Sequence, residues 1–478
     1  MTRTATGRRG GVASGHPLAA DAGLRVLDDG GSAVDAALTM AITQWVVNSP
    51  MCGPGGELFV MHVVDGRAMV YGGWSRTPTR FPVDGPVTPR GPTAAVVPGA
   101  LRGVEAAWNA AGRLPWRRLF DDALKHSHGH LVTESMERSY RSVVERGKAD
   151  ALHAVIDQEA TPTTGTNVSC ERLGRTLSLL AERGADEFYD GALAVAIIAA
   201  AQADGAYLKP ADLHSMDAQI AEAMMTEIDG LTIAVPPPPS QSCLTAEILA
   251  ASPASAPPTS VEFVNAVAPL TRDRLIEKCI VGLEGTAASI AADDTSAAVV
   301  VHSLAGVQYG SGWVAGDTGI ALGNRVGANL STRPDLPASN PFPGGVLVHT
   351  LSAAWFRAGD RSLLIATPGG DRQVQWLAQA GQRFRHGATI DDIVTGPRWF
   401  VCPEGDRFGV PGGIGKEWYL FAEPDVEWAN QTSVASFAVQ RVDTVGGGLQ
   451  GVTFEPDGQR HFGADPRSGG SALSQGGT

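Results

Sequence analysis

Cysteine is scarce in this chain and poorly placed for cross-linking. The five residues, Cys52, Cys170, Cys243, Cys279 and Cys402, are odd in number and far apart. They exclude a disulfide scaffold and form neither a CxxC nor a zinc spacing. They read as reduced, mostly buried thiols of a cytosolic protein. No window is long and apolar enough to span a membrane. The first ten residues are basic but lack the apolar core of a secretion signal. Positive charge is also in deficit, with a formal net charge of −13. That argues against nucleic acid and against anionic membrane as partners. One histidine run, His126-x-His128-x-His130, suggests a metal, but on a helix this spacing does not put three rings on one face. Neither a metal nor another cofactor is expected. No internal repeat is visible.

What the chain has in quantity is Gly (58) and Pro (31), which implies many turns and suits an α/β enzyme built from short strands. His16-Pro17 opens a helical pattern over residues 18–27, closed by Gly30-Gly31. Ser32-Ala-Val-Asp35 is a capping box for a second helix to about Val47. Strands are expected at 58–64 and 68–71, joined through Asp65-Gly66. A helix follows at 101–111, and residues 116–250 are helix-rich. The run Pro236–Pro239 reads as a rigid polyproline element in a loop, with a linker between domains as the plainer alternative, and a further helix is expected at 261–284. Residues 285–294 are small and polar and read as an exposed loop. The apolar run 297–301 reads as a buried strand. A strand at 362–366 ends in Thr367-Pro368-Gly369-Gly370. Asp457-Gly458 joins strands at 451–454 and 460–462. The Gly/Ser-rich tail is expected to be disordered beyond about Ala472.

Asp293-Asp294-Thr295-Ser296 stands at the mouth of the strand at 297–301. A threonine hydroxyl is a weak nucleophile that needs an adjacent base. If the chain cuts itself before Thr295, the freed α-amine, with a reference pKa near ~8, supplies that base. Gly369 and Gly370, following a strand and Pro368, are candidate backbone donors for an oxyanion.

Several motifs, in order, resemble the γ-glutamyltranspeptidase family of N-terminal-nucleophile hydrolases. They are His16-Pro17-Leu18-Ala19, Gly30-Gly31-Ser32-Ala33-Val34-Asp35, Gly53-Pro54-Gly55-Gly56, Val97-Pro98-Gly99 and Gly112-Arg113-Leu114-Pro115-Trp116. In the second half they are Asp294-Thr295, Tyr309-Gly310-Ser311-Gly312, Pro368-Gly369-Gly370 and Ala464-Asp465-Pro466-Arg467. The resemblance implies a four-layer αββα sandwich and autocleavage between Asp294 and Thr295. Fragments 1–294 and 295–478 would then stay together as an αβ heterodimer forming one structural domain. It also implies that Thr295 is the nucleophile, that Ser296 contacts its amine, and that Gly369 and Gly370 form the oxyanion hole.

The sequence departs from the family where the γ-glutamyl donor is held. The family arginine falls on Trp74, with Arg76 nearby but out of register. The family aspartate falls on Ala328, and the paired serines on Val348 and His349. The chemistry is retained while the recognition of the γ-glutamyl group is erased. The small-molecule substrate is therefore expected to be something else. One branch of this family, serving 4-alkylproline building blocks of antibiotics, hydrolyses a carbon–carbon bond and releases an oxalyl group. A keto-acid donor of that kind has no α-amino group, and Arg76 and His349 are candidate contacts for its acid. The alternatives are a γ-glutamyltransferase, hydrolase or amide acylase with an altered pocket, or an inactive homologue acting as a scaffold.

Overall fold

The computed structural model describes residues 3–82, 88–278, 285–306, 308–328, 341–403 and 417–476. Two seven-stranded sheets stack face to face. One runs, neighbour to neighbour, Thr4–Gly7, Arg460–Ala464, Gln450–Phe454, Arg361–Ala366, Ala353–Ala358, Leu231–Val235, Met224–Ile228. The other runs Ser471–Ser474, Gly11–Ser14, Thr286–Ala292, Ser296–Ser303, Glu57–Val64, Arg67–Gly73, Gln219–Glu222. Neighbouring strands within both sheets are antiparallel. Strands from both halves of the chain enter each sheet, so the halves form one unit.

Each strand alternates its side chains between two faces, and the core divides accordingly. Phe59, Met61, Ile290, Val299, Val301, Leu364 and Phe462 fill the layer between the sheets. Leu58, Val60, Ala291, Ala298 and Val300 face the opposite way, onto the helices Pro17–Asp28, Ala33–Val47 and Ala100–Ala111. On the far side, Ile233, Phe356, Leu363 and Ile365 meet the helices Cys243–Ala251, Val261–Lys278 and Arg372–Arg385. This is the expected αββα sandwich.

The helix Ala33–Val47 is buried at every position, as an all-round apolar helix must be. Its start is the capping box read from the sequence. Ser32 Oγ accepts from the Asp35 amide at 3.0 Å, and Asp35 Oδ2 accepts from the Ser32 amide at 2.9 Å. The same carboxylate accepts from the Arg113 amide at 2.7 Å and so fixes the Gly112-Arg113-Leu114 turn. The Asp65-Gly66 hairpin also forms, with φ of 50° and 73° at its two central residues. That pair of positive values is what the right-handed twist of the flanking strands requires.

Three readings are corrected. The segment 285–294 is not an exposed loop, because Thr286–Ala292 is a strand buried at every residue. Its five alanine and serine side chains are small enough to lie between two packed layers, which hides the strand from an apolarity count. The Pro236–Pro239 run lies in a loop, as read, and its alternative reading as a linker between domains is overturned. The His349 amide donates to the Pro239 carbonyl at 3.1 Å, and Ser240 Oγ to the Leu351 carbonyl at 2.7 Å. The tail does not lose order at Ala472, since Ser471–Ser474 pairs with Gly11–Ser14. The helix expected at 261–284 is described over Val261–Lys278, and its remainder lies outside the described residues. Among the described residues, no helix is long and apolar enough to cross a membrane.

Candidate active site

Thr295 does not face Gly369 and Gly370. Asp293, Asp294, Thr295 and Ser296 form the turn of the hairpin between Thr286–Ala292 and Ser296–Ser303, closed by the Asp293 amide on the Ser296 carbonyl at 3.0 Å. Thr295 is exposed. Its hydroxyl donates to Asp293 Oδ1 at 2.9 Å and accepts from Arg113 at 3.4 Å. Burial pushes the Asp293 carboxyl up. Hydrogen bonds from the amides of Ala33, Thr295 and Ser296 outweigh that and hold it below the usual carboxylate range. Asp293 is therefore a turn and helix-start anchor, and it accounts for the Thr295 and Ser296 hydroxyls that the sequence reading assigned to chemistry.

The opposite end of the same strand carries a different threonine. Thr286 opens the seven-residue strand, roughly 20 Å from the turn at the rise of an extended chain. The register places Thr286 opposite Ser303, and Ser303 opposite Glu57. Directly opposed residues share a face. That face is the inter-sheet one, where their strand neighbours Ala288, Val301 and Phe59 are packed. Thr286 is 2% exposed, and its Oγ has no hydrogen-bond partner among the described residues. The Ser303 hydroxyl donates to the carbonyl of Gly285, the residue immediately before Thr286. The Ala305 amide fixes Ser303 Oγ from behind at 2.7 Å.

Gly369 meets this end of the strand. With Pro368 and Gly285 it lines a cavity of about 410 Å³. Gly369 has φ of 141° and Gly370 of 61°, values open to glycine and strained for other residues. Neither amide donates to a described residue. Arg138 and Arg372 also line the cavity, and no described carboxylate side chain does. A second, smaller cavity of about 60 Å³ is lined by Thr286 itself. Thr286, Gly285, Ser303 and Gly369 thus lie together, at the starts and ends of inner strands.

Of the residues expected to bind substrate, Trp74 and His349 come together, with ring centroids 4.2 Å apart. Both are buried. Burial pushes the His349 imidazole down to about 3, so it carries no charge. Val348 is half-buried beside it, and Ala328 ends the short helix Arg325–Ala328. Arg76 is not in this group. Its side chain reaches the Ser215 carbonyl at 3.2 Å, because the backbone on either side is tied to Val97 and Val346.

An ion pair that the sequence reading missed lies behind Trp74 and His349. Arg325 Nε donates to Glu57 Oε1 at 3.0 Å, and the two side chains are 4% and 2% exposed. Burial pushes the Glu57 carboxyl up, but the Arg325 guanidinium beside it, with a hydrogen bond from Ser75, holds it below its usual range. The positive charge nearest this wall is neutralised from within. Removing one partner strands the other, so Glu57→Ala is expected to destabilise the fold by about 3–5 kcal/mol. Equilibrium denaturation in urea measures it.

This αββα architecture is that of an N-terminal-nucleophile hydrolase, a class of acyl-cleaving and acyl-transferring enzymes. The family model described as gamma-glutamyltranspeptidase matches residues 19–264. The chain belongs to the γ-glutamyltranspeptidase family. It is 25% identical to a glutathione hydrolase-like YwrD proenzyme of Bacillus subtilis, over 99% of this chain and 100% of that protein. A glutathione hydrolase proenzyme of the same organism is 30% identical, but over 49% of this chain and 42% of its own length. Among solved structures, the cephalosporin acylase from Bacillus halodurans superposes with a TM-score of 0.85. It is 22% identical and covers 99% of this chain and 97% of its own. At that identity the likeness speaks for the fold.

Proposed function

We propose that this protein is an autoprocessing hydrolase whose nucleophile is Thr286 and whose small-molecule substrate lacks a γ-glutamyl group. The observation that carries this reading is the buried Thr286 Oγ, without a partner among the described residues, beside a Gly285 carbonyl already engaged by Ser303. In the precursor, Thr286 Oγ attacks the Gly285 carbonyl carbon. The Ser303 hydroxyl stabilises the oxygen as it gains charge. The C–N bond breaks, the proton passes from Oγ to nitrogen, and water then hydrolyses the resulting ester. The products are residues 1–285 and 286–478, held together by the two shared sheets. The new α-amine of Thr286 then serves as the base for its own hydroxyl. The Gly369 and Gly370 amides stand as donors for the oxyanion of each acyl intermediate.

The substrate reading rests on the recognition wall. A charged donor group needs an opposed charge, and its absence costs discrimination. Here Arg325 is spent on Glu57, His349 is neutral, and Arg76 is turned to Ser215. The lining of the cavity holds Arg138, at 4.0 Å from Glu134, together with Arg372 and Arg467 and no described carboxylate side chain, a basic surround that supports a substrate carrying an acid but no α-amine, such as an oxalyl or 2-keto-acid donor. Cleavage of a carbon–carbon bond in such a donor follows the same steps, with a stabilised carbon as leaving group. A panel of γ-glutamyl-p-nitroanilide, glutathione, simple amide acyl donors and oxalyl donors tests it. Turnover of both γ-glutamyl compounds is expected at least about 100-fold below the best acid donor. Robust glutathione hydrolysis contradicts the reading, and preference for uncharged amides redirects it to an acylase.

A further inference from the structure

The smaller cavity beside Thr286 opens off the larger one. Met51, Ser135, Ser139, Pro368 and Ser468 line both. Gly285 belongs to the outer cavity and Thr286 to the inner, so the bond between them lies at the junction. Three side chains lining the inner chamber have buried polar atoms with no partner among the described residues. These are both ring nitrogens of His16, Oγ of Thr286 and Oε1 of Gln450. Unpaired buried polar atoms are rare in native proteins and call for a physical explanation.

His16 is the most telling of the three. It stands at the N-cap of the helix Pro17–Asp28, yet its side chain makes no capping bond. The ring lines the chamber instead. Burial, with smaller contributions from His130 and His126, pushes it down to about 3. It is therefore a neutral imidazole, with one nitrogen donating and the other accepting. The Gln450 amide nitrogen donates to the Gly448 carbonyl at 3.2 Å and to Ser468 Oγ at 3.4 Å, which leaves Oε1 without a partner among the described residues. The chamber measures about 60 Å³, and a water needs on the order of 10–15 Å³ and two or more polar partners.

We infer that this chamber is a water-binding subsite behind the nucleophile, and that His16 and Gln450 are positioning residues for the water that hydrolyses the Thr286 ester. The inference rests on the reading of Thr286 as the nucleophile. The water oxygen attacks the Gly285 ester carbon, and the bond from that carbon to Thr286 Oγ breaks. One water proton goes to Oγ and the other leaves with the new Gly285 carboxyl group. His16 accepts a hydrogen bond from the attacking water and aims its lone pair. The same water serves deacylation during turnover, which makes hydrolysis, rather than transfer to an outside acceptor, the default fate of an acyl intermediate.

The test exploits the ester. Without a positioned water, the acyl shift proceeds but hydrolysis stalls, and hydroxylamine cleaves the accumulated ester in place of water. His16→Ala is expected to slow fragment formation at least about ten-fold. Treatment with hydroxylamine is expected to convert its full-length band into the same two fragments. His16→Asn, which keeps a donor and an acceptor, is expected to restore most of the wild-type rate. Gln450→Leu, which keeps the volume and loses the acceptor, is expected to accumulate the same ester and serves if His16→Ala does not fold. Wild-type cleavage rates in the folded His16→Ala and Gln450→Leu variants overturn the inference. So does slow cleavage with no hydroxylamine-labile ester. A wild-type chain that never breaks at Gly285–Thr286 removes the proposed nucleophile and this inference together, whereas a wild-type chain that breaks there isolates the chamber as the point under test.

Discussion

Thr286→Ala leaves the purified protein as one full-length chain without acyl-cleaving activity, while Thr295→Ala is cut and turns over as the wild type does. The contrast follows from what each hydroxyl touches. Thr286 Oγ is buried, unpartnered among the described residues and bonded through its own residue to the Gly285 carbonyl carbon. Removing a nucleophile of this kind costs at least about four orders of magnitude in rate. It forfeits no observed hydrogen bond, so the variant is expected to fold with undiminished stability. Thr295 Oγ lies at an exposed turn, on Asp293 and Arg113. Its loss is expected to cost no more than about 1 kcal/mol and to leave the site untouched. A denaturing gel of the two variants beside the wild type, with thermal melts as the folding control, checks both halves. Cleavage in Thr286→Ala, or its loss in Thr295→Ala, refutes the assignment.

Gly369→Ala carries the second largest expected effect, and it separates turnover from autocleavage. A Cβ at this position falls 2.3 Å from Trp376 Cζ3, and the backbone φ is 141°. The Trp376 ring is fully buried, with its indole nitrogen donating to the Trp399 carbonyl at 3.2 Å, so it has little room to yield. The turn must shift, and with it the Gly369 and Gly370 amides. Loss of one well-aimed oxyanion donor costs about 100- to 1,000-fold. Autocleavage leans on Ser303 at the Gly285 carbonyl and is expected to persist. Fragments that form normally but turn over the best donor of the panel at least about 100-fold more slowly satisfy the expectation. Undiminished turnover shows that the glycine pair is not the oxyanion site.

The features that could be read from the sequence depend on short-range chemistry. Ser32 with Asp35, Asp65 with Gly66, and Pro368-Gly369-Gly370 after a strand are each dictated within a few residues, and each is found as read. The order of the motifs brought out the family and with it the sandwich. The sequence reading set the nucleophile one strand later than the threonine proposed above, because Thr286–Ala292 is written almost entirely in alanine and serine. Such a run has little apolar contrast and little β-branching, and it becomes a strand only because two neighbouring strands and two packed layers enclose it. A usable signal was present. An Asp-Asp-Thr-Ser cluster before an apolar strand is also hairpin-turn chemistry, and a hairpin requires a partner strand just upstream. Following that partner back to its first residue leads to Thr286. The Glu57–Arg325 pair was out of reach for a different reason, since 268 residues separate its members and nothing local to either marks the other. The strand Ser471–Ser474 likewise exists because the Gly11–Ser14 strand accepts it.

The central claim is the identity of the residue that the chain exposes when it cuts itself. N-terminal sequencing of the smaller fragment of the wild-type protein, with intact mass for both fragments, reads that residue directly. The account predicts a fragment beginning Thr286-Ala287-Ala288 and a larger partner ending at Gly285. A fragment beginning at Thr295, or a chain that remains whole under conditions where the enzyme is active, would contradict it.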